Sequence, residues 1–410
     1  MIWASACGVA AFTAVTAFAL SRRRSSSSAS AGSETQPIEV GPWRPGLLGD
    51  VWRVLRSRLK AEYRSQQTAA TASAERRYWG NIQLLRLIAA YGIVYVHLEP
   101  AFAAIPAGKG LIDMLRFGTD LFLVVAGFLT AQILGRCGKS GLAYLRDRAI
   151  RILPLYFLFT VLAFLVKNYA TGAEPHTMRE LLMSLAFVPY GPYPILHPTW
   201  TLVVIVEFSV ITAAFQLANV RHGVYLAAAF VAALTLMGGQ FHPTNRVLSA
   251  YTDPILMDFV FGVLIYKFVT SRAATALPKP TLLLTAVAII AICTGAVILR
   301  PYLWPSVPRL LALGVPTSGI LLGAVILEQV GLAVNLELVN LLAKCTYSIY
   351  LCHQFVNGVS EEILSYHQGT IYVPMAILAA TPFMVTCIAA VIFVCIEAPT
   401  TRYLSRVLRS

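Results

Sequence analysis

The chain alternates between long apolar runs and short polar gaps, and run length decides what the apolar residues form. Runs of about 18–22 residues match a helix that crosses about 30 Å of hydrocarbon, and they are longer than a buried strand needs. They fall at 2–20, 82–104, 117–135, 152–170, 199–217, 223–240, 254–271, 281–299, 309–328, 346–364 and 373–395. The pattern predicts an all-α polytopic membrane protein, a bundle of about ten transmembrane helices plus one N-terminal hydrophobic helix.

Composition agrees. Of 410 residues, 57% are hydrophobic and 12% charged, against about 25% charged in an average soluble domain, which excludes an ordinary soluble enzyme. The net charge of +13 raises the question of nucleic acid, but the basic residues occupy the gaps between apolar runs, so no nucleic-acid partner is expected and the lipid bilayer is. Counted by side, 24 Lys and Arg fall with the 21–81 segment and 7 opposite; the positive-inside rule then makes 21–81 and the C-terminus cytoplasmic.

The first run lacks a basic residue before it and is followed by Arg22, Arg23 and Arg24, which reads as a membrane anchor over 1–20 rather than a cleaved signal. Residues 21–77 form a basic cytoplasmic linker. Within it Leu47, Leu48, Val51, Val54, Leu55 and Leu59 recur at helical spacing among Arg53, Arg56, Arg58 and Lys60, a pattern shared by a helix lying on an anionic leaflet and by a solvated charged helix. The membrane domain follows over 78–404, then a short tail over 405–410. Cys7, Cys293, Cys352, Cys387 and Cys395 fall in runs, and Cys137 and Cys345 on the cytoplasmic side. No spacing suits metal ligation, so neither a metal nor a bound cofactor is expected.

Ionisable residues inside spans are costly, by about 2.5–3.5 kcal/mol each on insertion scales, and they mark candidate chemistry. Arg86 and His97 are eleven residues apart, nearly one helical face and about 16 Å along the axis. The pair fits a polar stripe lining a cavity that joins the two sides, with His97 able to take a proton. It also fits a snorkelling Arg and a histidine in the outer interface. Asp120 begins the next span at the level of His97, as a helix cap or as a partner orienting the imidazole. Ala126 and Gly127 are small enough for close helix contact. Arg148 and Arg151, three apart on the cytoplasmic side with Pro154 taken for a first-turn proline, suit bidentate phosphate binding or simply set topology. His176, His197, His242 and His367 show no partner pattern.

Taken in order, these stretches resemble the membrane-bound acyltransferase 3 family, which moves acyl groups onto sugars of bacterial surface polysaccharides. The family's Arg, ten residues, His signature is matched by Arg86 and His97. Its Gly-x-Asp-Leu-Phe-Phe motif ending in Ser-Gly-Phe is similar to 118–128, with Leu123 and Ala126 as departures. Its Arg-x-x-Arg-Ile-x-Pro motif is matched by Arg148, Arg151, Ile152 and Pro154, and its Tyr-Ser-x-Tyr-Leu-x-His motif by Tyr347, Ser348, Tyr350, Leu351 and His353. The closing Glu-x-Pro is matched by Glu397 and Pro399. Asn-Ile-Gln before Arg86 and the Trp-Thr-Leu at Trp200 look most like exopolysaccharide-production acetyltransferases of the succinoglycan type. Those relatives place a Glu five residues after the Trp; here that position is Ile205 and the nearest acid is Glu207. Two residues turn a helix by about 200°, so Glu207 is expected to face nearly opposite to the relatives' Glu.

The resemblance implies an integral O-acyltransferase, acetyl-CoA or another acyl-CoA as cytoplasmic donor, a polysaccharide or lipid-linked sugar as acceptor, and the bacterial inner membrane as location. His97 is implied as general base or acyl carrier, Arg86 as a thioester or oxyanion contact and Arg148 and Arg151 as CoA-phosphate ligands. Trp200, Glu207, Tyr347 and His353 are candidate cavity or substrate residues; Trp200 also fits an interfacial anchor and His353 a helix-to-helix hydrogen bond, and the family's Glu role is not carried onto Glu207. Two alternatives stay open: a proton-coupled transporter, which buried Arg, His, Asp and Glu would also suit, and an inactive family member.

Overall fold

The computed structural model describes residues 79–408, apart from 107, 138, 170–174, 190–193, 272–276 and 368, together with residues 57 and 61. But for those last two positions, the predicted anchor and basic linker lie outside the described residues. All regular structure among the described residues is helical. In chain order the helices are α1 (Gly80–Val96), α2 (Glu99–Ala103), α3 (Gly108–Leu115), α4 (Phe117–Cys137), α5 (Gly141–Tyr169), α6 (Met178–Leu185), α7 (Trp200–Ala218) and α8 (Gly223–Phe241). They continue with α9 (Arg246–Tyr251), α10 (Met257–Val269), α11 (Lys279–Leu303), α12 (Val315–Gln329), α13 (Glu337–Lys344), α14 (Thr346–Tyr366), α15 (Tyr372–Ile392) and α16 (Ala398–Val407).

Among the described residues, eight helical stretches are long and apolar enough to cross a membrane. The other two predicted spans are also helices, but neither meets that standard. α1 has only 17 residues. α14 has 21 residues but carries Ser348, His353, Gln354, Asn357, Ser360, Glu361 and Glu362. Asn81 of α1 and Ser348, His353, Asn357 and Ser360 of α14 are buried among neighbours, so these polar groups meet protein rather than lipid, whereas Glu361 is exposed. α11 is the opposite case, with Leu284 and Ile292 over 70% exposed on a surface fit for lipid.

Each end of α1 is fixed by a polar contact. The Glu328 carboxylate, at the end of α12, accepts hydrogen bonds from the Gly80 and Asn81 amides, both at 2.9 Å, which satisfies the exposed N–H groups of a helix start and places a negative charge on its positive end. The Asn81 side chain donates to the Ala324 and Leu332 carbonyls and accepts from the Val334 amide. At the other end Asn357 of α14 donates to the Val94 carbonyl at 3.1 Å.

Glycines set the closest helix approaches. A Cβ on Gly118 would lie 2.8 Å from the Ala89 carbonyl oxygen, so this motif glycine lets α4 cross α1 at the level that positions His97. A Cβ on Gly127 would lie 2.2 Å from the Phe259 oxygen, and one on Gly262 2.0 Å from the Val124 oxygen, so α4 and α10 meet backbone to backbone. Gly262→Ala is therefore expected to force the two helices apart at a cost of ~1–3 kcal/mol, seen as a lower unfolding temperature in detergent; an unchanged temperature would contradict this packing.

Pro154 corrects one expectation. α5 begins at Gly141, not near residue 152, so the proline sits in the helix interior and leaves the Ile150 carbonyl without its usual intrahelical donor. Nearby, the Tyr347 hydroxyl donates to the Ile152 carbonyl at 2.8 Å, joining α14 to α5 at this point.

Candidate active site

α1 ends at Val96, and His97 caps it with its own amide bonded to the Ile93 carbonyl. Its ring projects into a cavity of about 800 Å³. The wall also includes Glu99, Arg116 and Thr119 from the following turns, Arg246 and Asp253 from around α9, and Arg309. From α7 it receives Trp200, Val203, Val204 and Glu207, spaced i, i+3, i+4, i+7 along one helical face.

That periodicity resolves the displaced acid. Ile205, at the position of the relatives' Glu, is only 4% exposed and belongs to the core, while Glu207 shares the Trp200 face and lines the cavity. Glu207 and Ile205 face apart, as the two-residue shift predicts, and the Glu207 side holds the cavity: seven residues are close to two full turns, so the acid lies on the face that begins at the tryptophan.

His97 has two histidine neighbours. Its ring centroid is 5.3 Å from that of His353 on α14 and 5.5 Å from that of His197, edge to face. His353 is fully buried, and neither of its nitrogens has a hydrogen-bond partner of good geometry, only the carbonyls of its own helix nearby. Tyr350, one turn earlier, donates its hydroxyl to the Pro198 carbonyl at 2.6 Å. The histidine that sequence reading left without a partner, His197, thus stands at the centre of the site. Its only local signal was its place three residues before Trp200.

Asp120 lies in the first turn of α4, as considered for a helix-start carboxylate, and its partner is an arginine rather than the imidazole. Its carboxylate, 1% exposed, accepts from Arg309 at 2.8 and 3.3 Å through Nη2 and Nε, and no hydrogen bond joins it to His97. Asp258 lies within electrostatic reach of both, fully buried, its carboxyl oxygens without a partner of good geometry. Sequence reading missed Arg309 and Asp258, although an acid inside the 254–271 run was a visible signal. Arg309 immediately precedes a π-helical turn, Leu310–Gly314, a local widening common at functional positions.

Arg86 is not in the cavity wall. The continuous cleft expected between Arg86 and His97 is replaced by two separate polar centres on one helix. Arg86 donates to Gln83 at 2.8 Å and to the Thr346 hydroxyl at 2.9 Å. Close by, the Ser348 hydroxyl donates to Glu397 at 2.5 Å, and the charges of Arg86 and Arg151 both act on Glu397. Glu397 closes a second π-helical turn, Phe393–Glu397. Arg148 donates to Thr130 at 2.7 Å and lies over the Tyr144 ring at 5.4 Å, while Arg151 is exposed. This second centre gathers residues of four of the motifs: Arg86, Arg151, Ser348 and Glu397.

A family model described as an acyltransferase domain, of the acyltransferase 3 type, matches residues 79–397. The exopolysaccharide production protein ExoZ of Rhizobium meliloti (strain 1021) is 28% identical over 251 residues, covering 59% of this chain and 76% of that protein. No solved structure matches the chain. With the family model spanning most of the chain and its motifs gathered at two polar centres of a helical membrane bundle, the chain belongs to the acyltransferase 3 family and is a multi-pass membrane acyltransferase.

Proposed function

We propose that the protein transfers an acyl group, acetyl in the simplest case, from cytoplasmic acyl-CoA to a sugar hydroxyl of an exopolysaccharide or its lipid-linked precursor in the bacterial inner membrane. The observation that carries this reading is the pairing of an imidazole, His97, with an aromatic and an acid, Trp200 and Glu207, in one cavity, while the arginine-rich centre occupies the other part of α1 and the start of α5. An indole face and a carboxylate suit a sugar ring and its hydroxyls. Exposed and tethered guanidinium groups suit the phosphates of CoA, and the basic-residue count puts them on the side where CoA is found.

In this reading His97 takes the proton from the acceptor hydroxyl as its oxygen attacks the thioester carbonyl; the carbon–sulfur bond breaks and CoA leaves as the thiolate, which is then protonated. Arg86, in the separate arginine-rich centre, contacts the arm of the donor there rather than the reacting carbonyl. Asp120 acts at one remove, by holding Arg309 in the cavity wall. Tyr347 and His353 brace α14 against the two centres.

The direct test is mass analysis of extracellular polysaccharide from cells with and without the intact chain. Loss of one acyl substituent on an unchanged sugar backbone is expected, and identical polysaccharides would overturn the reading. A second test addresses the donor. Arg148→Lys with Arg151→Lys keeps the topogenic charge but loses the planar fork, the Thr130 bond and the Tyr144 contact; KM for acetyl-CoA is expected to rise about 10- to 100-fold, from the loss of charge-assisted hydrogen bonds of ~1.5–3 kcal/mol each. An unchanged KM would remove these arginines from donor binding.

A further inference from the structure

Three of the seven histidines of the chain come from three separate elements and meet in ring contact: His353 within α14, His97 at the end of α1, and His197 in the turn before α7. Their exposure is graded. His353 is fully enclosed, and His97 and His197 are half-buried and both line the cavity. A base that takes a proton in each cycle must lose it before the next, and a second imidazole within direct or one-water reach is suited to receiving it.

The turn that carries His197 is held with unusual thoroughness for a segment between two helices. Lys167 of α5 donates to the Ile195 carbonyl at 2.8 Å, and the Ile195 amide donates to the Ser184 hydroxyl of α6 at 3.1 Å. Tyr350 donates to the Pro198 carbonyl. These contacts grip the backbone on both sides of residue 197 and fix where its ring stands against His97. They engage main-chain and not imidazole atoms, so the turn keeps its place when the ring is altered.

We propose that His197 is the proton outlet of His97, receiving the acceptor's hydroxyl proton from it and passing it to water in the cavity. The inference rests on the acyl-transfer reading. The acceptor O–H bond breaks with its proton going to His97 as the new ester C–O bond forms and the thioester C–S bond breaks. The proton then moves from His97 to His197 and to cavity water, while the departing thiolate is protonated from water on the donor side. His197 acts through His97 and is a positioning and relay residue. The charged and titratable groups around this pair are Arg116 beside His97 and Lys167 beside His197, with Glu99, Glu207, Arg246, Asp253 and Arg309 in the same cavity wall and His353 and Tyr350 behind His97. Arg116 is ion-paired with Asp113 at 3.3 Å.

The test uses cells that carry the full chain, pulsed with labelled acetate as the probe, with label read in newly made extracellular polysaccharide and chain abundance read in the membrane fraction. An unlabelled polysaccharide from the intact chain speaks against the acyl-transfer reading itself. Where the intact chain labels, His197→Gln and His197→Ala are expected to lower the rate at least about tenfold at unchanged abundance, within the range of a lost acid–base partner. The residual rate is expected to rise with external pH more steeply than the wild-type rate, and external imidazole to restore His197→Ala toward the wild-type rate. Wild-type labelling by either variant overturns the proposal, as does a loss that external pH and imidazole leave untouched, which is the signature of a purely structural residue. Should His197→Ala be scarce in the membrane, His197→Gln decides by the pH profile alone.

Discussion

His97→Ala is expected to lower the transfer rate ~10²- to 10⁴-fold, the range for removing a positioned general base, while leaving the fold intact. The ring is half-buried in a cavity wall, and α1 is held by the bonds of Glu328, Asn81 and Asn357 rather than by the imidazole. Truncation therefore enlarges a space that already exists instead of opening a void in a packed core. Steady-state kinetics on the purified chain separates the effects: kcat should fall while KM for the donor changes little, because the centre proposed for the donor, around Arg86, Arg148 and Arg151, is elsewhere on the bundle. A variant with kcat near that of the parent would take His97 out of the chemistry.

Arg309→Met is the second large effect, and it acts on stability. Arg309 is bonded to Asp120 and in electrostatic reach of Asp258, and both carboxyls are buried. Losing the positive partner strands them in a low-dielectric site, where an unpaired carboxylate is far more costly than the intact pair is favourable. The cost is expected to be ~2–4 kcal/mol, toward the lower part of the range for enclosed pairs, since the Arg309 side chain is 39% exposed and partly screened. Adding Asp120→Leu should recover a good part of that loss, because it removes a stranded charge. Thermal unfolding of the two variants checks this, and a double variant no more stable than the single one would refute it.

The helical elements were legible because run length and the distribution of Lys and Arg are local properties of the chain. The two spans that fall short of a free-standing membrane helix show the limit: α1 and α14 are apolar enough to register as runs, yet their polar residues serve contacts that only the assembled bundle supplies. The candidate site was legible only as motif residues, Arg86, His97, Trp200 and His353, of which His97 and Trp200 line the cavity and Arg86 does not. It was illegible where two residues meet across long stretches of chain. His97 and His197 are 100 residues apart and Asp120 and Arg309 are 189 apart, so no periodicity within one helix joins them. The i+7 relation of Glu207 to Trp200 is visible in the sequence, but only the bundle shows that the face they share lines the cavity. Pro154 fits a first-turn preference in the sequence, while the helix in fact starts at Gly141.

The polarity of α14 has a consequence for biogenesis. A segment with two glutamates, a histidine and an asparagine partitions weakly into lipid on its own. Its strongly apolar successor, α15, packs along it, so the two are best understood as a hairpin delivered to the membrane together, with the polar helix carried in by its apolar neighbour.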